Sequence, residues 1–415
     1  MVICDPNSLR INDSPALYRA QQESLPYMFL YICSESGTTS LRFSYTASIV
    51  ESFKRRCPKL HINDINVLSR LKADHNISQV FTNLSPHTYS RNIVNYCIEH
   101  DIKCTVCQQG LLKSWDHYTK TGKVHCTFTS FLTAYTESNT RPLTQSKPLG
   151  NDALFFKQYD KKPVVPAAPH KLLHYYDTDP VRLPVTLDFV KTSVVPSYDA
   201  KRDILYGNHT SGLSHYLAAG IITTNEIRSI VKSEHSFGFV RQLLWREYSY
   251  YLHYHYPHMH EESVCKRDYT RAKDEVYYRL LNAWIHGRTG YELIDAIMMQ
   301  LKYTGYINNR MRLIVSSFLT RNMRISWYDG YCHFMNYLID ADESNNSMGW
   351  QWISGNGRAK FNPTLIIAPH VQQKKFDPNK QFINIWSQYV NSRPDPIIDW
   401  EKSCAEYRAT LKSKS

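Results

Sequence analysis

The sequence predicts two regions of different fold class, an α/β domain followed by an all-helical domain. In the first 132 residues, short apolar runs such as Met28-Phe-Leu-Tyr-Ile-Cys and Gln79-Val-Phe-Thr alternate with longer mixed segments such as Ser90 to His100. That rhythm is typical of strands connected by helices. After residue 197 the apolar spacing becomes helical. The clearest helical face consists of Leu293, Ile294, Ile297, Met298 and Leu301.

The composition is that of a packed globular protein. Of 415 residues, 42% are hydrophobic and 21% are charged, and this length exceeds the usual size of a single core. We find neither a run of about eighteen apolar residues nor a signal peptide, so neither a membrane span nor secretion is expected. The ten cysteines are irregularly spaced, which favours reduced thiols in an intracellular protein of the cytoplasm or nucleus.

The charge balance points to a polyanionic partner. The net charge is +12 and the pI is about 9.1, and lysines and arginines that neutralise phosphates release counterions. An ordinary basic protein would show the same balance, so charge alone does not decide. Thirty tyrosines and eight tryptophans add stacking faces for bases or a flavin, although most aromatic residues in any protein belong to the core.

Four segments are predicted along the chain. Residues 1–132 form the α/β domain, residues 133–196 a connection over the surface, residues 197–400 the helical domain and residues 401–415 a tail. The connection is rich in Pro, Ser, Thr and Lys and shows little periodicity. We expect a monomer.

Six motifs occur in a fixed order in the second half of the chain. They are Trp284-Ile-His-Gly-Arg-Thr-Gly-Tyr, Asp295-Ala-Ile, Thr304-Gly-Tyr-Ile-Asn-Asn-Arg-Met-Arg, Leu338-Ile-Asp-Ala-Asp, Gly349-Trp-Gln-Trp and Lys375-Phe-Asp-Pro. Their order and spacing resemble the DNA photolyase and cryptochrome family, and most closely its class I photolyases for cyclobutane pyrimidine dimers. The first 132 residues match more loosely, through Ser8-Leu-Arg-Ile-Asn-Asp-Ser-Pro-Ala-Leu and Phe128-Thr-Ser-Phe. The resemblance implies a Rossmann-like antenna domain and a helical domain that binds FAD.

The resemblance also implies which residues bind FAD. Hydroxyls and a helix N-terminus would hold the phosphates, at Tyr198, Thr210, Ser211, Leu213 and Ser214. Without the resemblance, that segment would be an ordinary helix N-cap. Beside the flavin ring we expect Arg241, Asn309, Arg312, Asp340, Asp342 and Asn346. Arg312 and Asp340 would form a buried ion pair, and Asn346 would lie opposite flavin N5, where an amide is typical of photolyases.

Photoreduction of the flavin would use a relay of oxidisable aromatic residues. Trp350 matches the proximal tryptophan of the family's relay, and Trp327 matches the middle one. The distal position falls on Asp274, which cannot be oxidised. Two alternatives remain, a terminus at Tyr277 or Tyr278, or a shorter relay.

The lesion-binding positions match the family only in part. Trp245 and Trp352 match the tryptophans that pack against a flipped-out lesion, and Asn309 and Arg310 match the mouth of the same cavity. Photolyases for cyclobutane dimers have glutamate where this chain has Gln242. An arginine of the family pattern is Leu365 here. These departures predict weaker or altered substrate binding. The histidine pair of (6-4) photolyases is absent, which argues that (6-4) lesions are not substrates.

Two further signals carry less weight. An antenna chromophore of the folate or deazaflavin type is implied by the resemblance, but Cys4-Asp-Pro-Asn and Leu84-Ser-Pro-His depart from the pattern and favour an empty antenna site. We assign no metal site. Cys104 and Cys107 lack a second pair of ligands that would complete a tetrahedral site. His253, His255, His258 and His260 resemble the family's sequence at the end of a helix, which also contains histidines.

The leading hypothesis is a blue-light-driven photolyase that uses reduced FAD to split cyclobutane pyrimidine dimers in UV-damaged DNA. Gln242, Asn346, Trp350 and Trp327 would carry its chemistry. The alternative is a cryptochrome-like photoreceptor that binds flavin without repairing DNA. A third possibility is a DNA-binding protein without flavin.

Overall fold

The chain divides into two compact units. A computed structural model describes residues 2–4, 9–10, 12–23, 26–32, 40–56, 60–110, 124–136, 183–207, 209–231, 236–265, 269–358, 364–390 and 394–413. The first unit holds the described residues up to 136, those at 183–196, and Ser211–Pro257. The second holds Ser197–Thr210 and the described residues from His258 onward. The sequence places the start of the helical domain at residue 197, whereas in the structure Ser211–Pro257 groups with the first unit.

A five-stranded parallel sheet forms the centre of the first unit. Its strands are β1 (Val2–Cys4), β2 (Phe29–Ile32), β3 (Leu60–Asn63), β4 (Gln79–Asn83) and β5 (Lys103–Cys107), in the order β3-β2-β1-β4-β5. The register pairs Val2 with both Phe29 and Phe81, Phe29 with Leu60, and Phe81 with Thr105. This order, with crossover helices between parallel strands, is the Rossmann-like arrangement that the sequence predicts.

Helices connect the strands and complete the first core. They are α1 (Pro15–Gln22), α2 (Ser40–Arg56), α3 (Val67–His75), α4 (Thr88–Glu99) and α5 (Phe128–Thr136). One buried cluster contains Leu30, Ile32, Leu68, Val80 and Ile93 from β2, α3, β4 and α4. The two cysteines of the Cys104-Thr-Val-Cys107 motif occupy one strand, where residues three apart point to opposite faces. Cys104 instead hydrogen-bonds Cys97, which raises the pKa of the Cys97 thiol.

Four more helices belong to the first unit. They are α6 (Leu183–Phe189), which continues through a π turn (Val190–Val194), α8 (Ser214–Ala218), α9 (Thr224–Ile230) and α10 (Phe237–His255). Phe131 of α5 packs against Tyr248 and Tyr251 of α10, with ring centroids 5.1 and 5.3 Å apart. This aromatic contact explains why α10 groups with the first unit.

The predicted connection contains helical structure at both ends. Residues 133–136 complete α5, and residues 183–196 form α6 and its continuation. Tyr135, Val190, Val194 and Val195 are buried, so these stretches contribute to a core rather than lie over the surface. Residues 5–8, which hold most of the departure from the opening motif, and residues 137–182 of the connection lie outside the described residues.

The regular elements among the second unit's described residues are all helices. Its helices are α7 (Tyr198–Lys201), α11 (Glu275–Ile285), α12 (Glu292–Thr304), α13 (Asn309–Ser317), α14 (Trp327–Tyr337), α15 (Glu343–Ser354), α16 (Pro369–Phe376), α17 (Gln381–Ser387) and α18 (Trp400–Ser413), with a π turn at Phe318–Asn322. The five apolar residues predicted to share one face of α12 are at most 3% exposed, which confirms the helical periodicity. No helix in the described ranges is long and apolar enough to cross a bilayer.

The predicted tail, residues 401–415, is helical for most of its length. Residues 400–413 form α18, which packs against the π turn at Phe318–Asn322. Tyr407 is 1% exposed and lies beneath the Arg321 guanidinium, while the Asn322 amide donates to Ser403 Oγ at 3.1 Å. The few apolar residues of this segment face one side, and their burial holds the helix in place.

Replacing Tyr407 with alanine should lower the free energy of unfolding by about 3–5 kcal/mol, the scale for deleting a buried aromatic side chain. Chemical denaturation measures this change. Glu406→Ala, at an exposed position on the same helix, is the matched control and should leave the midpoint nearly unchanged. Equal midpoints for the two variants would show that α18 does not contribute to the core.

Candidate functional site

A buried ion pair connects α13 to the turn between α14 and α15. Arg312 Nη2 lies 2.9 and 2.7 Å from the two carboxylate oxygens of Asp340, and Arg312 Nε donates to the Ile307 carbonyl at 3.0 Å. The Asp340 side chain is 3% exposed and that of Arg312 is 27% exposed. The expected pairing of these residues is therefore present, and the Arg312 side chain remains partly exposed.

Asp342 and Asn346 lie one helical turn apart at the start of α15. Asp342 is the N-cap, and its carboxylate accepts from the Asn345 amide at 2.9 Å. Asn346 Nδ2 donates to the Tyr331 carbonyl at 3.1 Å. Because the amide nitrogen is engaged with α14, the other end of the side chain, Oδ1, is presented as an acceptor. Both residues are less than 10% exposed.

Two glycines set the space around Trp350. A Cβ at Gly330 of α14 would lie 2.2 Å from the Trp350 ring, so only glycine permits the observed contact. Gly349 of α15 differs, since no heavy atom lies within 4 Å of the position that its Cβ would take. Gly349 follows Asn346 by three residues, and residues at this spacing are neighbours on a helix. An open space therefore adjoins the side of α15 that carries Asn346.

Thr210 and Tyr198, expected at the phosphates, belong to the second unit. Thr210 Oγ1 and the Tyr306 hydroxyl are 3.2 Å apart and share a hydrogen bond. Burial raises the pKa of Tyr198 to about 12, so its hydroxyl keeps its proton near neutral pH and can donate. Tyr306 was not among the residues expected at the phosphates, and its hydroxyl lies next to that of Thr210.

Ser211, Leu213 and Ser214 belong to the first unit. Ser211 Oγ accepts from the Leu213 amide at 3.3 Å, which closes the turn before α8. Gly212, at φ +63°, lies in that turn with no atom within 4 Å of its Cβ direction. Ser214 Oγ is buried and has no hydrogen-bond partner among the described residues. A buried hydroxyl without a partner needs an explanation, and a bound ligand supplies one.

The α10 residues expected near cofactor and lesion have defined neighbours in the first unit. Trp245 stacks on Phe128, with centroids 3.8 Å apart and an interplanar angle of 9°, and the Arg241 guanidinium lies 5.6 Å from the same Phe128 ring. One face of Trp245 is therefore covered by Phe128. Gln242 Nε2 donates to the Gly238 carbonyl of its own helix at 3.1 Å.

The second-unit residues expected at the lesion differ in their side-chain contacts and in their exposure. Arg310 is paired with Asp203 at 2.6 Å and lies over the Phe376 ring at 4.7 Å. Asn309 is exposed and Leu365 is 49% exposed. Trp352 is half-buried against the main core. The structure does not test their roles toward DNA, which remain predictions.

The residues of the proposed relay are packed around α14. Trp350 contacts this helix at Phe334, 5.0 Å between centroids, as well as at Gly330. Trp327 is the first residue of α14, and its Nε1 donates to Ser263 Oγ at 2.9 Å. Asp274, at the distal position, is the N-cap of α11 and accepts from the Tyr277 amide at 2.8 Å.

Several motif residues have structural roles. Asp295 accepts from the Thr289 amide and hydroxyl and from the Gly290 amide, which fixes the loop before α12. Gln351, fully buried, donates to the carbonyls of Met259 and Glu262 and accepts from the Val264 amide. Buried polar side chains satisfied in this way hold loops rather than ligands.

Comparison with known proteins identifies the family. Residues 6–148 match the family model of DNA photolyase, and residues 239–414 match that of the FAD binding domain of DNA photolyase, so the two ranges take in most of the chain. The chain belongs to the DNA photolyase family.

A deoxyribodipyrimidine photo-lyase of Buchnera aphidicola is 37% identical over 196 residues, which cover 45% of this chain and 41% of that protein. The chain matches between 41% and 52% of the length of such curated relatives.

Two solved structures share the fold. A class III photolyase from Agrobacterium tumefaciens superposes with a TM-score of 0.83 at 22% identity, covering 99% of this chain and 97% of the other. A cryptochrome from Synechocystis gives 0.84 at 19% identity, covering 99% and 98%. Likeness to both a photolyase and a cryptochrome confirms the predicted fold, and it does not distinguish between the two activities.

The residues present fit FAD, the cofactor of this family's helical domain. The Arg312–Asp340 pair supplies charges of both signs, and Asn346 supplies an amide oxygen one helical turn from the open space at Gly349. In the first unit, the partnerless hydroxyl of Ser214 is suited to a phosphate oxygen. The Tyr331 carbonyl, which orients Asn346, could not be predicted from the sequence, because every residue has a backbone carbonyl whatever its side chain.

The two glycines give a matched pair of variants. Gly349→Ala should stabilise the cofactor-free protein by roughly 0.5–1 kcal/mol, because alanine favours a helix interior. It should also weaken FAD binding, because its methyl group enters the open space. Thermal unfolding without cofactor and flavin fluorescence titration measure the two effects.

Gly330→Ala should have the opposite effect on stability. Its methyl group would collide with the Trp350 ring and cost about 1–3 kcal/mol, the usual cost of overpacking. If Gly349→Ala bound FAD as tightly as the unchanged protein, the open space would not be part of the cofactor site.

Proposed function

We propose that this protein is a light-driven DNA repair enzyme that splits cyclobutane pyrimidine dimers with an electron from reduced FAD. The observation that carries the proposal is the fixed Asn346 amide one helical turn from the open space at Gly349, together with the Arg312–Asp340 pair. Curated relatives at 32–37% identity are named deoxyribodipyrimidine photo-lyases, which supports the same activity. Reduced FAD, when bound, supplies the photoexcited electron.

The protein residues hold and tune the cofactor. The carboxylate of Asp340 keeps the Arg312 guanidinium in place, and this partly exposed side chain would provide positive charge to a cofactor that becomes anionic. Asn346 offers Oδ1 as an acceptor and has no acidic proton to give. An anionic reduced form of the cofactor is therefore favoured.

UV-damaged DNA is the proposed partner. The net charge of +12 supplies an electrostatic attraction to phosphates, which makes binding salt-dependent. Trp245, backed by Phe128 in the first unit, and Trp352 in the second unit are each partly exposed and could each stack on an unpaired base. Damage lowers the cost of unstacking, so the protein should prefer irradiated over intact DNA.

A cryptochrome-like photoreceptor is the second candidate. Gln242 and Leu365 favour it, because they replace a glutamate and an arginine that the family's dimer photolyases use at the lesion. Leu365 is 49% exposed, and its aliphatic side chain carries no charge that could contact a lesion or a phosphate. This candidate keeps the FAD site and predicts no repair.

The deciding experiment is a repair assay with pre-reduced protein under blue light. Oligonucleotides with one cyclobutane dimer, one (6-4) product or no lesion are the substrates, and dark incubation is the control. We expect dimer repair in the light only, and no repair of the (6-4) product. Photoreduction without repair of either lesion would favour the photoreceptor, while a protein that binds no FAD would exclude both candidates.

Gln242→Glu should raise the quantum yield of dimer repair. A carboxyl group can hydrogen-bond to the dimer and donate a proton, whereas the amide can only hydrogen-bond. Gln242→Leu, which removes the hydrogen bond as well, is the matched control and should lower the yield. The measurement is repaired dimer per absorbed photon. A lower yield in Gln242→Glu than in the unchanged protein would contradict the assigned role.

Asn346→Asp should change the protonation of the photoreduced flavin. A carboxylate at this buried position would face the Tyr331 carbonyl that now accepts a hydrogen bond, so the acid should be held in its protonated form. It could then give its proton to the cofactor. Absorption spectra recorded under illumination with a reductant report this change, and unchanged spectra would place Asn346 away from the flavin.

A further inference from the structure

The relay lacks an oxidisable residue at its expected distal position. Asp274 is a helix cap whose carboxylate is committed to the Tyr277 amide. Trp327 is only 6% exposed, so a solvent reductant has little access to it. An electron lost by Trp327 therefore has to be replaced through another residue that reaches the surface.

Two tyrosines of α14 contact the Trp327 ring. The Tyr328 ring centroid is 5.8 Å from that of Trp327, and the Tyr331 centroid is 6.1 Å from it. The two tyrosines stack on each other at 5.8 Å with an interplanar angle of 21°. Tyr331 is 6% exposed, whereas Tyr328 is 40% exposed. Tyr328 thus joins the buried indole to solvent within a single ring contact.

Tyr277, one of the termini that the sequence allowed, is placed differently. It is fully buried, its hydroxyl donates to the Asp329 carboxylate, and the Ser326 amide donates to it at 3.1 Å. Its ring lies 5.4 Å from that of the exposed Tyr278. A reductant would reach Tyr277 only through Tyr278.

We propose that Tyr328 is the terminal electron donor of this protein and takes the place of the distal tryptophan. The proposal rests on the proposed function, because bound FAD would supply the photo-oxidant to which Trp350 gives up an electron. A hole that reaches Trp327 is then filled by one electron from Tyr328, which restores the neutral indole.

The phenol must lose a proton in the same step. Burial and a hydrogen bond with Cys332 raise the pKa of Tyr328, so the residue starts as a neutral phenol. On oxidation the phenolic O–H bond breaks, the proton passes to solvent water, and a neutral phenoxyl radical remains. An external thiol can then return one hydrogen atom and regenerate tyrosine. Solvent access at Tyr328 serves both the proton and the reductant.

The test compares three single variants of the FAD-loaded protein, Tyr328→Phe, Tyr277→Phe and Tyr278→Phe. Tyr278 is the matched control, because it is 57% exposed and lies on α11 rather than α14. Flash excitation followed by electron paramagnetic resonance, with ring-deuterated tyrosine as a label, identifies the radical. FAD affinity, measured separately, shows whether each variant retains the folded site.

In the unchanged protein we expect a tyrosyl radical whose formation slows in D2O. Tyr328→Phe should abolish that signal, leave a shorter-lived tryptophan radical and remove the solvent isotope effect, with FAD affinity unchanged. Tyr278→Phe should retain the tyrosyl signal, its solvent isotope effect and the FAD affinity.

The outcomes separate this proposal from the one on which it rests. A normal tyrosyl signal in Tyr328→Phe, or its loss in Tyr277→Phe instead, would assign the terminus elsewhere and leave the proposed function intact. Should the unchanged protein bind FAD and yield no radical on illumination, the relay itself would be excluded together with Tyr328. If Tyr328→Phe fails to bind FAD, Tyr328 supports the fold and the proposal is rejected.

Discussion

The contact between Trp350 and Gly330 sets the geometry of the second unit's site. A glycine at position 330 lets α15 approach α14 until the indole meets the helix backbone. At that separation the Asn346 amide reaches the Tyr331 carbonyl one turn away. Helix α14 also carries Trp327, so the contact that orients the Asn346 amide also positions the aromatic residues of the relay. A methyl group at position 330 would therefore disturb hydrogen bonding, packing and electron transfer together.

The Arg312–Asp340 pair is best understood through its cost. Removing two charges from water is unfavourable, and a buried ion pair often stabilises a fold no more than apolar residues of similar size would. Asp340 is almost completely buried, yet the Arg312 side chain remains 27% exposed. Full enclosure of both side chains would raise the cost of removing their charges from water. Partial access instead leaves positive charge available to a ligand, which agrees with the fit to FAD.

Sequence patterns predicted the fold well and the neighbours of each site residue poorly. Apolar periodicity located the buried face of α12, because burial depends on the side chain itself. Periodicity could not show that residues 400–413 pack as a helix, since Cys404 and Tyr407 are too few to form a clear stripe. Nor could spacing reveal that Phe128 covers Trp245, a contact between residues more than a hundred positions apart. That Asp274 cannot be oxidised follows from its residue type, while its role as a helix cap could be seen only in the structure.

The departures from the family pattern are distributed in a way that bears on function. Positions expected at the flavin ring, such as Asn346, keep the family's residue types, whereas Gln242 and Leu365, at the expected lesion contacts, do not. Flavin photochemistry depends on close packing and fixed hydrogen bonds, so a change there would affect every later step. Lesion contacts at an exposed surface are less demanding, because stacking and phosphate attraction tolerate replacement of a single polar group. Loss of proton donation at Gln242 would therefore reduce the efficiency of repair before it abolished recognition, and a weak repair enzyme is the form of photolyase that these residues favour.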